Sequence, residues 1–246
     1  MRAVILAGGK GRRLHPYTAV FPKPLMPLGD RPILEVVVRQ LKDAGFTRLT
    51  LAVGHLAGLI EAYFGDGRRF GVRIDYSIET EPLGTAGPLS LLSEIDSDFL
   101  VMNGDVLTDL DFAALHAAHR ASNAIGTIAV CEKTIDITLG VVQVDPASHV
   151  VAYHEKPTQQ FLVSTGIYFF RPQVLRHLVH GQRCDLPDLI RRLMLAGEHV
   201  HGHRFDGYWL DIGRPEDYEQ AAEAVANGGL DAIVRGAMSD RASLIS

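Results

Sequence analysis

Short apolar runs alternate with amphipathic stretches through the first half of this chain, and that alternation restricts its fold more than any other feature. A brief buried run followed by a helix-length segment is a βα unit, and successive units build a mostly parallel sheet with helices on its faces. Residues 3–7 read as a buried strand. Asp30 is expected to cap a helix through Ile33, Leu34, Val37, Leu41 and Ala44 that Gly45 ends. The next strand is 49–53, a helix over Leu56, Ile60 and Phe64 follows, then a strand at 72–78, a short helix at 85–92 and a buried strand at 98–102. Beyond Ile125 the pattern turns strand-rich, with candidates at 125–131, 141–144, 150–154 and 161–170, before helices return at 173–179, 187–196 and 215–226. No linker or internal repeat interrupts this pattern. The expected organisation is one α/β domain over 1–226, in two parts (1–124 and 125–226), with a tail at 227–246. No hexapeptide repeat follows Ala226, so no C-terminal β-helix is expected.

With 246 residues, 47% of them hydrophobic, the chain can bury one large core. No run approaches the roughly 18 apolar residues of a membrane span, and the apolar start is too short for a secretory signal, so a cytoplasmic location is expected. Cys131 and Cys184 lie outside any CxxC spacing and read as packing thiols. A net charge of −5 gives no general attraction for nucleic acid or an anionic membrane. The distribution matters more than the sum. All 29 acidic residues lie beyond Gly29, whereas Arg2, Lys10, Arg12, Arg13 and Lys23 precede it. A local cationic segment on an acidic protein suits a small polyanion.

The glycines of Leu6-Ala7-Gly8-Gly9-Lys10-Gly11-Arg12-Arg13-Leu14 follow directly on the first strand, where backbone N–H groups at the carboxyl edge of a sheet can bind phosphate. A tight structural turn is the plainer alternative. GxxxxGK[ST] is absent, as is the third glycine of the dinucleotide fingerprint. Lys23 sits in Phe21-Pro22-Lys23-Pro24-Leu25, where two prolines stiffen the backbone around one cation. Asp105 ends a buried strand on the same sheet edge, which suits a divalent cation, although it could instead cap the helix beginning near Leu110.

These segments resemble the sugar-1-phosphate nucleotidylyltransferases, whose GGxGxRLxPxT loop and PKPxxP segment match residues 8–18 and 22–27. The resemblance continues, in the same order, through Glu81–Gly87 (EPLGTAG), Asn103–Asp105 (NGD), Glu155–Pro157 (EKP), Gly166–Tyr168 (GIY) and Trp209–Gly213 (WLDIG). It is closest to the mannose-1-phosphate guanylyltransferases. It implies a Rossmann-like, mixed, mostly parallel sheet flanked by helices, the nucleotide-diphospho-sugar transferase fold. The implied reaction joins an NTP to a sugar 1-phosphate, with 1–124 binding the nucleotide and 125–226 the sugar phosphate. Leu6, Ala7, Gly8, Gly9, Gly11, Asn103 and Gly104 would line the nucleotide, and Arg13 and Lys23 would hold its triphosphate. Asp105 and Asp211 would bind Mg²⁺; Asp211 could instead cap the helix near Pro215. Gly140, Glu155, Lys156, Thr165 and Gly166 would meet the sugar phosphate, with a surface ion pair as the other reading of Glu155-Lys156. Relatives often carry Asn where this chain has Ser164. A homodimer is a possible assembly, and no nucleic acid or membrane partner is expected.

The base-reading segment implied by the resemblance contains Glu79, Gly84 and Thr85. A carboxylate at Glu79 can accept from both the N1–H and the N2 amino group of guanine, while thymine or uracil would present acceptors to it, which favours GTP. A solvated strand-end charge is the alternative for Glu79. The nearest functional rival uses UTP or dTTP with a glucose-type sugar, and a catalytically silent nucleotide-sugar sensor is the other. Two further histidine features carry less. His199, His201 and His203 alternate on one strand face without a known metal motif, and His116 and His119 share a helical face expected to be solvated.

Overall fold

The computed structural model describes residues 1–93 and 95–227; the expected tail otherwise lies outside the described residues. The strands are β1 (Arg2–Leu6), β2 (Pro27–Leu28), β3 (Arg31–Pro32), β4 (Arg48–Val53), β5 (Arg73–Ile78), β6 (Phe99–Asn103), β7 (Val106–Thr108), β8 (Gly126–Asp136), β9 (Val141–Val144), β10 (Val150–His154), β11 (Thr158–Phe170), β12 (Val200–Arg204) and β13 (Trp209–Asp211). The α-helices are α1 (Ile33–Asp43), α2 (Ala57–Phe64), α3 (Phe112–Ser122), α4 (Leu186–Leu195) and α5 (Pro215–Ala226). Seven strands form one sheet in the order β12-β8-β11-β6-β1-β4-β5. β11 runs antiparallel to both its neighbours, and every other pairing in the sheet is parallel.

Strand alternation divides the core between the two faces. Ala3 and Ile5 of β1 pack with Leu34, Val37, Val38 and Leu41 of α1, Ile60 and Phe64 of α2, and Phe112 and Leu115 of α3. Val4 packs on the other face with Leu186, Leu189 and Leu193 of α4 and with Leu89. Each fully buried Val, Leu, Ile or Phe side chain among these contributes about 1.5–3 kcal/mol. A third cluster gathers Leu14, Leu28, Ile33, Leu107, Leu210, Ile212 and Ala221 beneath α5. It fixes the β7–β13 and β2–β3 pairs to α1.

Several local expectations need correction. Asp30 does not cap α1: residues 31–32 pair back onto 27–28, and the helix begins after Pro32, whose hydrocarbon side chain has no acceptor to cap it. The expected helices at 85–92 and 173–179 are 3₁₀ turns, Gly87–Leu91 and Pro172–His177, each with a proline near its start. Asp111, not Asp105, caps α3, accepting from the Ala113 and Ala114 amides at 2.9 and 3.0 Å. Asp211 does not cap α5, whose preceding residue is Arg214.

His119 is the largest correction. It is fully buried, its Nδ1 lies 2.8 Å from Thr127 Oγ1, and its ring stacks on Phe169 with centroids 5.8 Å apart. Burial pushes its pKa down to about 4, against the pull of the Asp98 carboxylate. The unfolded chain therefore takes up this proton first, so stability should be complete above pH 6.5 and decline as pH falls from 6.5 toward 4. His119→Gln is expected to flatten the pH dependence of Tm in that window; a decline as steep as that of the parent would show that His119 does not cause it.

Candidate active site

The strand order reverses at β1, which has β4 on one side and β6 on the other, so a crevice opens beyond its carboxyl end. The glycine turn occupies that position. Ala7 donates to Ala52 O at 2.8 Å, and the chain then leaves the sheet. Gly11 adopts φ +60°, and a Cβ there would lie 2.9 Å from Thr18 Cγ2, so the turn requires glycine. Its carbonyl accepts from the Thr18 hydroxyl at 2.8 Å and from the Leu14 amide at 2.9 Å. The 3₁₀ turn Arg12–Leu14 buries Leu14 and leaves Arg13 exposed.

Lys23 opens a second 3₁₀ turn, Lys23–Leu25, between Pro22 and Pro24. Only 8% exposed, it forms an ion pair with Asp105 Oδ2. Asp105 follows β6 across Gly104, whose amide donates to Leu6 O at 2.9 Å and so ties the carboxylate to the glycine strand. Asp211, the last residue of β13, pairs with Val106, and the Ile212 amide donates to Asp105 O at 3.0 Å. The two carboxylates thus lie on adjoining backbone. Burial, together with the Asp105 carboxylate, holds the Asp211 carboxyl above its ordinary range, while the Lys23 and Arg13 cations pull it down. Among the described residues Arg13 has no hydrogen-bond or ion-pair partner, which leaves its donors available to an anion.

Glu79 stands immediately after β5. It is not a solvated strand-end charge: Oε2 accepts from the Leu83 amide at 2.7 Å, and a Cβ on Gly8 would lie 2.5 Å from Oε1. Burial pushes its carboxyl up, and the Leu83 bond partly opposes this. Gly84 and Thr85 turn instead toward α4. The Thr85 hydroxyl accepts from the Leu186 amide at 2.7 Å, and its own amide donates to Asp185 Oδ1 at 3.0 Å, so the Thr85 side chain is engaged in capping α4.

The 125–226 part brings a second group together. Glu155 and Lys156 follow β10, and Lys156 has the left-handed φ of +44°. The Tyr153 hydroxyl donates to Glu155 Oε2 at 3.0 Å and lies against Gly140. Sequence reading missed Tyr153, although its position two residues before Glu155 puts it on the same strand face. Gly166 lies against Asn103, where a Cβ would be 2.6 Å from Nδ2, and so joins β11 to the end of β6. Thr165 departs from expectation. It is 1% exposed and its hydroxyl donates to Ala129 O at 2.8 Å, so the side chain points into the sheet, not toward a sugar. Its carbonyl accepts from Trp209 Nε1 at 2.8 Å, while Ser164 is exposed and lies 2.9 Å from the Tyr168 hydroxyl.

The sequence model of the nucleotidyl transferase family matches residues 2–228. The chain belongs to the nucleotidyl transferase family. It is 38% identical to a UTP–glucose-1-phosphate uridylyltransferase of Synechocystis, over 92% of this chain and 63% of that protein. It is 37% identical to a mannose-1-phosphate guanyltransferase of Schizosaccharomyces pombe, over 89% of this chain and 62% of that protein. The chain thus spans less than two thirds of the length of these curated relatives. Among solved structures, HddC from Yersinia pseudotuberculosis, crystallised with GMP-PN, superposes with a TM-score of 0.70 at 26% identity, covering 91% of this chain and 99% of that one. A putative glucose-1-phosphate thymidylyltransferase from Bacillus anthracis shares the fold, with a TM-score of 0.74 at 24% identity, over 91% of this chain and 94% of that one. No helix among the described residues is long and apolar enough to cross a membrane.

Proposed function

We propose that this chain transfers a nucleotidyl group from an NTP, with GTP preferred, to the phosphate of a mannose-like hexose or heptose 1-phosphate, releasing pyrophosphate. The observation that carries the reading is the glycine turn at the strand-order reversal, faced by Lys23, Asp105 and Asp211 and flanked by an unpaired Arg13. A phosphate oxygen of the sugar 1-phosphate attacks the α-phosphorus in line, and the bond to the departing pyrophosphate breaks. No general base is required, because a phosphate monoester is largely dianionic at pH 7. The difficulty is bringing two polyanions together. Arg13 and Lys23 would neutralise the triphosphate, and Lys156 with Glu155 would orient the sugar phosphate.

The donor set fits Mg²⁺. Asp105 and Asp211 supply hard carboxylate oxygens on adjoining backbone, and the Asp211 carboxyl is raised by burial first and by the Asp105 carboxylate second. Mg²⁺ is commonly bound by one or two carboxylates together with substrate phosphates. When bound it would lower the charge repulsion at the α-phosphate.

The guanine preference rests on Glu79, which retains acceptor capacity beyond the Leu83 bond. The guanyltransferase relatives and the GMP-PN complex of HddC support it. A UTP-dependent transfer to a glucose-type sugar is the second reading, favoured by the identity to the Synechocystis uridylyltransferase. Mass spectrometry of reactions with Mg²⁺, one NTP at a time and a pool of hexose and heptose 1-phosphates separates the two: a GDP-sugar is expected, and a UDP-sugar would select the second reading. No product from any NTP would remove both. Glu79→Gln replaces one acceptor with a donor and is expected to reduce the kcat/KM preference for GTP over UTP about tenfold or more. An unchanged ratio would remove Glu79 from base recognition.

A further inference from the structure

We propose that Gly213 is a positioning residue for Arg13: its missing side chain leaves the seat on which the guanidinium is held over the segment that follows Asp211. A Cβ at Gly213 would lie 3.1 Å from Arg13 Nη1 and 3.3 Å from both Cζ and Nη2, so the guanidinium lies against the bare backbone of this residue. That contact spans most of the chain and joins the glycine turn to the end of β13.

The seat is held by backbone hydrogen bonds, whereas the guanidinium is the end of a flexible side chain. Gly213 is buried, and its amide is shared between Asp211 O at 2.8 Å and Asp217 Oδ2 at 3.2 Å. Asp217 Oδ2 also accepts from the Arg214 amide at 2.8 Å, and Ile212 is fully buried in the cluster beneath α5. With the backbone held on both sides, a side chain at 213 must displace the flexible end of Arg13. A cation intended for a phosphate poses a particular problem: pairing it with a carboxylate would fix its position but occupy its donors. Packing against a glycine backbone fixes the position and leaves those donors available.

The inference rests on the reading of this site as a triphosphate site. Its test is calorimetric titration, in Mg²⁺ buffer, of the parent protein, Gly213→Ala, Gly213→Val and Arg13→Ala, and of both Gly213 variants in the Arg13→Ala background, with GTP and with inorganic tripolyphosphate. Gly213→Ala shifts the guanidinium by only a few tenths of an ångström and should weaken binding a few-fold, whereas the branched valine should weaken it about tenfold or more. Neither substitution should weaken binding further once Arg13 is alanine. The fluorescence of Trp209, the one tryptophan of the chain, should keep its emission maximum in both variants if the seat itself is unmoved. Gly213→Val binding both ligands like the parent, or losing as much again in the Arg13→Ala background, would overturn the seating alone. A parent protein that binds neither GTP nor tripolyphosphate would overturn the reading of the site, and the seating with it.

Discussion

Asp105→Asn is expected to lower turnover about 10³-fold or more while leaving the fold intact. Asparagine preserves the size of the side chain, and the links made by the local backbone persist: Gly104 N to Leu6 O at 2.9 Å and Ile212 N to Asp105 O at 3.0 Å. What disappears is a charge with two uses. Asp105 pairs with Lys23, and its charge adds to burial in raising the Asp211 carboxyl. Without it the site keeps a single carboxylate for Mg²⁺ and a buried lysine without its partner. The measurement is kcat for the nucleotidyl transfer alongside a thermal melt. Near-normal turnover in a folded variant would eliminate Asp105 from the chemistry; a variant that fails to melt cooperatively would point to a structural role for the ion pair.

The parts of this site that were legible in the sequence are those encoded contiguously. The glycine turn follows β1 without a break and Asp105 ends an apolar run, so local order alone places both at one sheet edge, and the prolines around Lys23 mark it as a held cation. What was not legible depends on segments that fold back. For Glu79 the sequence leaves a strand-end charge open as the alternative to a base reader, and only the loop that returns the Leu83 amide to its carboxylate removes that alternative. Thr85 reads as part of a base-reading loop, yet its hydroxyl is engaged by α4, a hundred residues further along. His119 falls on the polar side of an isolated α3, and only the arrival of Thr127 on β8 and Phe169 on β11 makes that side an interior. Strand ends failed for a related reason. The apolar alternation of β8 stops near Cys131, but the strand continues to Asp136 because its backbone pairs with Thr158–Ser164 of β11, and backbone pairing leaves little trace in side-chain composition.

Lys23→Met should cost about 10²–10³-fold in kcat/KM, most of it in kcat. Methionine keeps the unbranched stem that packs in a position only 8% exposed and removes the ammonium. The variant therefore separates packing from charge, which alanine would not. Losing the ammonium leaves Asp105 unpaired and removes one of the two cations that pull down the Asp211 carboxyl, so the carboxylates repel more strongly before any substrate arrives. On the proposed function it would also remove a cation from the triphosphate. These two effects have a distinguishable signature in a double-mutant cycle. If Lys23 acted only by holding Asp105, Lys23→Met would cost nothing further in the Asp105→Asn background. If it also meets the developing charge of the departing pyrophosphate, the double variant should lose activity beyond Asp105→Asn, though by less than the product of the two single losses. The second outcome is expected, because the prolines on either side of Lys23 restrain its backbone whether or not Asp105 is charged.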